Sequence, residues 1–126
     1  MSRRKFLMPD YVKTHKSDCL VYIWFYNEND KPLSIGEKMY EINENAYMNG
    51  YNWDAFFHYY LTQNAPDLLE DLDTDPEAGS YAAFYPLTEE NEKKAERFAE
   101  IIISLIENEE KLYQIVREKG DDIEWD

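Results

Sequence analysis

The chain has 126 residues, with 13 Lys plus Arg against 27 Asp plus Glu and a formal charge of −14; 44% of it is hydrophobic and 16% aromatic. Its three Trp, eleven Tyr and six Phe supply the core that an unfolded acidic chain lacks, so one acidic globular domain is expected. The charge repels nucleic-acid phosphates and anionic lipid, which makes DNA, RNA and membrane surfaces poor direct partners and a basic protein the expected one.

Residues 1–9 are expected to be a flexible N-terminus. Arg3, Arg4 and Lys5 imitate the start of an export signal, but the apolar run Phe6-Leu7-Met8 stops at Pro9 and Asp10, so no signal peptide is read there. Tyr11 to His15 reads as a short strand, Lys16 to Asp18 as a turn, and Cys19 to Tyr26 as the second strand of a hairpin, rich in β-branched and aromatic side chains. That second segment is the longest apolar run, and its eight residues fall far short of the ~20 that cross a bilayer as a helix. A cytoplasmic protein is expected. Alternation sends Cys19, Val21, Ile23 and Phe25 to one side, expected to meet the helices, and Leu20, Tyr22, Trp24 and Tyr26 to the other. Cys19 is the only cysteine, which excludes an internal disulfide, a CxxC pair and a thiolate zinc cluster. On the core face it reads as a buried structural thiol rather than as a nucleophile paired with His15 or His58.

Ser34-Ile-Gly-Glu37 has capping-box spacing and predicts a helix start, with Ile35, Met39, Ile42 and Ala46 as its stripe and Gly50 as a left-handed cap. Asn52 then opens a second helix, carrying Trp53, Phe56, Phe57, Tyr60 and Leu61 down to Asn64 and Pro66. Pro66 to Leu72 suits a short third helix, Asp73 to Gly79 a loop, and Ser80 to Leu87 a third strand. Thr88 caps a long helix with Ala95, Phe98, Ala99, Ile102, Leu105 and Ile106 at helical spacing. Leu112, Ile115 and Val116 mark a last helix to Gly120, followed by an acidic tail over 121–126. The expected fold is α+β, a single domain over 1–126 in which helices cover one face of a small, mainly antiparallel three-stranded sheet.

Between Met39 and Glu92 there is no Lys or Arg, while twelve acids occur, and Asp67, Glu70, Asp71, Asp73, Asp75 and Glu77 fall within eleven residues. Such density costs self-repulsion unless water or a positive surface faces it. The run is therefore either a solvated loop or a binding surface. Asp71-x-Asp73-x-Asp75 copies the first three ligand positions of a calcium loop, but the sixth position is Pro76 rather than Gly and the twelfth is Ala82 rather than Glu, so no metal is expected. Asp54 and His58 lie one helical turn apart, half of a metal site whose other half is missing. Glycoside hydrolysis needs a carboxyl group isolated in an apolar pocket, and these acids have polar neighbours. The four Gly never cluster into a phosphate-binding loop. No catalytic residue and no cofactor are expected, and the protein is not read as an enzyme. His58 reads as a surface or interface side chain; Tyr22 and Trp24 either pack under another segment or anchor an interface.

Two segments, Asn49-Gly-Tyr-Asn-Trp-Asp54 and Asp75-Pro-Glu-Ala-Gly79, together resemble the immunity protein 51 family, over roughly Asp10 to Gly120. In physical terms Gly50 ends one helix, Asn52 caps the next, and Tyr51 and Trp53 anchor the junction, so these four are read as a structural motif. The resemblance implies a small cytoplasmic bacterial α+β protein of polymorphic-toxin and contact-dependent inhibition systems, encoded beside a secreted toxin whose C-terminal domain it binds and blocks. Joined to the charge, it implies a stoichiometric inhibitor of a basic toxin domain, expected to be a DNase or RNase, with a monomer or weak homodimer as the free form. The expected contacts are Asp67, Glu70, Asp71, Asp73, Asp75, Glu77, Tyr22, Trp24 and His58. The alternative is an acidic DNA mimic or adaptor that sequesters a basic nucleic-acid-binding protein.

Overall fold

A computed structural model describes residues 8–125, so most of the expected N-terminal segment, 1–7, lies outside the described residues, as does 126. Strands β1 (Val12–Lys16) and β2 (Leu20–Phe25) form the expected hairpin, with Val12 opposite Phe25 and Lys16 opposite Val21. Ser17 builds the turn, its hydroxyl oxygen accepting from the N–H groups of Cys19 (3.3 Å) and Leu20 (3.0 Å). Cys19 therefore sits in the turn and is exposed, which corrects its expected place in the core. The strand starts one residue later, and its buried side is Val21, Ile23 and Phe25.

Among the described residues the sheet has four strands, not three. β3 (Asp73–Pro76) occupies the segment expected to be a loop and pairs with β4 (Tyr81–Pro86), giving the order β1-β2-β4-β3 with every pairing antiparallel. Asp-Thr-Asp-Pro has low strand propensity, but β3 is an edge strand. There a missing N–H at Pro76 is tolerated, and charged side chains discourage pairing with other chains. The chain enters β3 through Asp71, which holds a left-handed φ of 68°.

Helix α1 (Asp30–Ile42) begins before Ser34, with Asn29 as its cap and Pro32 in its first turn. Ser34 and Glu37 are thus inside the helix, because proline's preset φ suits a first turn and the chain turns helical ahead of it. It ends at Ile42: Asn43 is extended, and its side-chain oxygen accepts from the Asn45 N–H at 2.9 Å. The left-handed residue of the next loop is Met48, at φ 57°, not Gly50.

Gly50 instead opens α2 (Gly50–Asn64), capped by Asn49, whose side-chain oxygen accepts from the Asn52 N–H at 2.9 Å. Asn52 is therefore a buried first-turn residue rather than the cap. A single 3-10 turn, Pro66–Leu69, follows and is shorter than the expected helix. Thr88 caps α3 (Glu89–Glu107) by accepting from the Asn91 N–H at 3.0 Å, with Glu89, Glu90 and Glu92 at the positive end of the helix dipole. α4 (Glu109–Lys119) runs into a second 3-10 turn, Gly120–Asp122. Ile123 joins the core, and the Trp125 indole N–H donates to the Gly120 carbonyl at 3.0 Å.

Helices α2 and α3 cover one face of the sheet, and α1 and α4 pack on each other and on α3. The core is aromatic where the layers meet. Phe25 lies 5.0 Å from Trp53 and 5.5 Å from Phe57, and Phe57 meets Tyr81 and Phe98 at 5.3 and 5.9 Å between ring centroids.

Candidate functional site

Because side chains alternate along a strand, the register decides what the sheet carries on the side away from the described helices. Lys13 lies opposite Trp24, Trp24 opposite Ala82, and Ala82 opposite Asp75; in the neighbouring row His15, Tyr22, Phe84 and Asp73 follow one another. The face thus runs from a basic edge on β1, across a strip of rings, to an acidic edge on β3. Tyr22 and Trp24 stack at 5.7 Å with an interplanar angle of 9°, and Tyr22 also touches Phe84 at 5.4 Å and His15 at 6.0 Å. Tyr22, Trp24 and Phe84 are half-buried, by one another and by the flanking strands. The helices that reach the sheet, α2 and α3, lie on its other side.

The acidic run is divided by the fold. Asp67 is bound by Arg97 from α3, Oδ2 to Nη1 at 2.6 Å, and that hydrogen bond holds its carboxyl below the usual carboxylate range. Lys94, also on α3 and almost fully buried, lies 3.8 Å from a Glu70 carboxylate oxygen and donates to the Glu70 carbonyl at 3.5 Å. Among the described residues Asp71, Asp73, Asp75 and Glu77 have no ion-pair partner. All four are exposed. Asp73 and Asp75 stand on the ringed face, ~6.8 Å apart along an extended strand, a geometry unlike a loop that curls its oxygens around one ion. No group of three or more His, Cys, Asp or Glu among the described residues is placed to hold a metal.

His58 is exposed on α2 and lines a cleft of about 900 Å³ with Tyr51, Tyr59, Thr74 and Trp125. Tyr22, Trp24, Asp73 and Asp75 therefore share one surface, whereas Asp67 and Glu70 are held by α3 and His58 faces the cleft. Phe84 and Trp125 were not anticipated as surface residues. The signal for Phe84 was available in the period-two spacing of Asp71, Asp73, Asp75 and Glu77, which is that of a strand able to pair with the segment after it.

The two segments that carry the family resemblance meet in space. Gly50 donates its N–H to the Ala78 carbonyl at 3.0 Å, and a Cβ on Gly50 would collide with the carbonyl oxygens of Glu77 and Ser80. Glycine is required here by close approach of backbone to backbone, not by a left-handed conformation. Asn27 donates to the same Ala78 carbonyl at 3.2 Å, and Trp53, fully buried, fixes the first turn of α2 against Phe25. The family model of immunity protein 51 matches residues 13–121. The chain belongs to the immunity protein 51 family. No curated protein and no solved structure matches it. Membership gives this immunity protein an antitoxin role, directed at a cognate toxin. Its joint between Asn49–Trp53 and Asp75–Ser80 shapes the fold. None of the described helices is long and apolar enough to cross a membrane.

Proposed function

We propose that this immunity protein is a stoichiometric, non-enzymatic inhibitor of a basic nuclease toxin domain, acting in the bacterial cytoplasm, and that it presents the open sheet face to the toxin. The observation that carries the reading is the coincidence of Tyr22, Trp24, Asp73 and Asp75 on the sheet side that no described helix covers, with the carboxylates unpaired among the described residues. Rigid rings supply contact area that loses little conformational freedom on binding, and such residues dominate interface energetics when they sit at the centre. Carboxylates at the rim steer a basic partner and occupy positions where a nuclease cleft otherwise holds phosphates. The chemistry is occlusion: no bond is made or broken.

The test is co-expression of the tagged protein with the toxin domain encoded beside it, followed by titration and nuclease assay at low and high salt. A 1:1 complex that abolishes nuclease activity is expected for the wild type. The triple variant Asp71→Lys, Asp73→Lys, Asp75→Lys is expected to lose on the order of 100-fold in affinity, mostly at low salt, with its melting temperature retained. If it binds with unchanged affinity and salt dependence, the proposed surface is wrong.

A further inference from the structure

A second exposed patch lies on α1 and the loop after it, away from the ringed sheet face. Tyr40 is 46% and Tyr47 67% exposed, and their rings stack at 5.7 Å with an interplanar angle of 24°; Leu33, 44% exposed, lies two turns earlier on α1. Two large rings stacked in solvent are an unusual use of apolar area in a small domain. Their placement is built in. Ala46 and Met48, on either side of Tyr47, are buried, Met48 holds its left-handed φ, and its Cβ comes so close to Gly36 that a side chain there would meet it at 2.9 Å. The Ala46 N–H donates to the Asn43 carbonyl at 2.9 Å. With both neighbours drawn inward, Tyr47 is held outward against Tyr40.

The charges of α1 and the loop after it divide into paired lysines and unpaired acids. The α1 lysines are used elsewhere: Lys31 reaches Glu107 at 2.8 Å, and Lys38 lies 3.9 Å from Glu109 and over the Tyr113 ring. Glu37, Glu41 and Glu44 are exposed and have no ion-pair partner among the described residues. A preset pair of tyrosine faces on a segment whose exposed acids, Glu37, Glu41 and Glu44, lie within four positions of one ring or the other along the chain is complementary to a guanidinium or ammonium group, which takes the ring faces by cation–π attraction and the carboxylates by ion pairing. A second copy of the chain is a poor occupant, because a two-fold contact would set the same glutamates against one another.

We propose that the Tyr40–Tyr47 patch is a second docking surface, taking an arginine- or lysine-bearing loop of the toxin. The inference rests on the toxin-binding reading above and adds a contact region outside the sheet. Titration of the co-encoded toxin domain with the wild type, the Tyr40→Ala, Tyr47→Ala pair, the Glu37→Lys, Glu41→Lys, Glu44→Lys triple and the β3 triple separates the two. The tyrosine pair is expected to weaken binding about tenfold or more, and the glutamate triple to slow association and flatten its salt dependence, each with the wild-type melting temperature. If both bind as the wild type does while the β3 triple is impaired, the patch is not a toxin contact and the sheet reading stands. If the wild type itself fails to bind, both readings fall. Sedimentation of the free wild type is expected to show a monomer; a dimer that the tyrosine pair dissolves assigns the patch to self-association and overturns the proposal.

Discussion

On one side of β2, Val21, Ile23 and Phe25 are at most 4% exposed, packed beneath α2 and α3. On the other side Tyr22 and Trp24 rest on one another and Tyr22 on Phe84, all three half-buried and away from the described helices. One alternating strand therefore carries a stability face and the face proposed for recognition, separated only by the direction of successive Cβ atoms. Substitutions on the two faces should fail in different ways, and that difference is the sharpest means of testing the assignment.

The largest effects belong to the inner face and the joint that seats α2 on the hairpin. Phe25→Ala removes ring contacts with Tyr11, Trp53 and Phe57 and should destabilise the fold by about 3–5 kcal/mol in urea unfolding. Gly50→Ala should be comparably damaging, since the atoms it meets are the backbone carbonyls of Glu77 and Ser80, which cannot rotate aside as a side chain can. A Gly50→Ala protein with wild-type stability would show that α2 is free to shift on the β3–β4 turn. On the outer face Trp24→Ala should cost about 1 kcal/mol of stability or less, in the range of cross-strand pairs, while weakening toxin binding at least ~10-fold. If Trp24→Ala instead unfolds the protein and binds normally where folded, the two faces have been assigned the wrong way round.

Legibility in the sequence followed the same division. The alternation of β2 from Val21 onward, the stripe of α2 and the Thr88 cap of α3 are local patterns, and each appears where the spacing placed it. What escaped was non-local. β3 forms from poor strand residues because β4 offers it a partner, and Gly50 is glycine because of two carbonyls nearly thirty positions away. The first turn of α1 looked as though it belonged to Ser34, since a capping box is defined by spacing alone, whereas Asn29 and Pro32 were already able to start the helix. Within the candidate site, Tyr22 and Trp24 were legible as a pair on one face. Their joining to Asp73 and Asp75 was not, because it needed the strand order.

Alkaline pH addresses the inner face with a smaller effect. Burial pushes the Tyr81 and Tyr85 hydroxyls well above the ordinary tyrosine value of about 10; burial first, and then the neighbouring carboxylates of Glu107 and Glu109, do the same for Tyr11 and Tyr113. The folded state then holds protons that the unfolded chain has released. The stabilisation is complete below about pH 10 and is lost as pH rises beyond it toward the raised folded values. Melting temperatures measured from pH 8 to 11 should fall steeply only above pH 10, and Tyr81→Phe should make that fall shallower. A Tyr81→Phe profile as steep as that of the wild type would mean that the buried Tyr81 hydroxyl does not keep its proton above the ordinary range in the fold.

The smallest expected effect compares two acids of the same run. Asp67 is exposed and tied to Arg97, so its folded pKa lies below the unfolded one. Whatever stability the pair supplies is present above the ordinary carboxylate range and is lost as pH falls through the lowered value. Solvent screening keeps that contribution small, and Asp67→Asn should leave melting near neutral pH almost unchanged. Its charge is already answered by a cation of the same chain, so the field a toxin meets at this point is weak. Asp75 is also exposed and has no ion-pair partner among the described residues, so on the proposed reading removing its charge subtracts directly from the attraction. Asp75→Asn should therefore lower toxin affinity and flatten its salt dependence while Asp67→Asn does neither. Equal losses from the two would mean that the toxin reads the acidic run as one undivided field, and that the cations of α3 have no part in deciding which carboxylates recognise it.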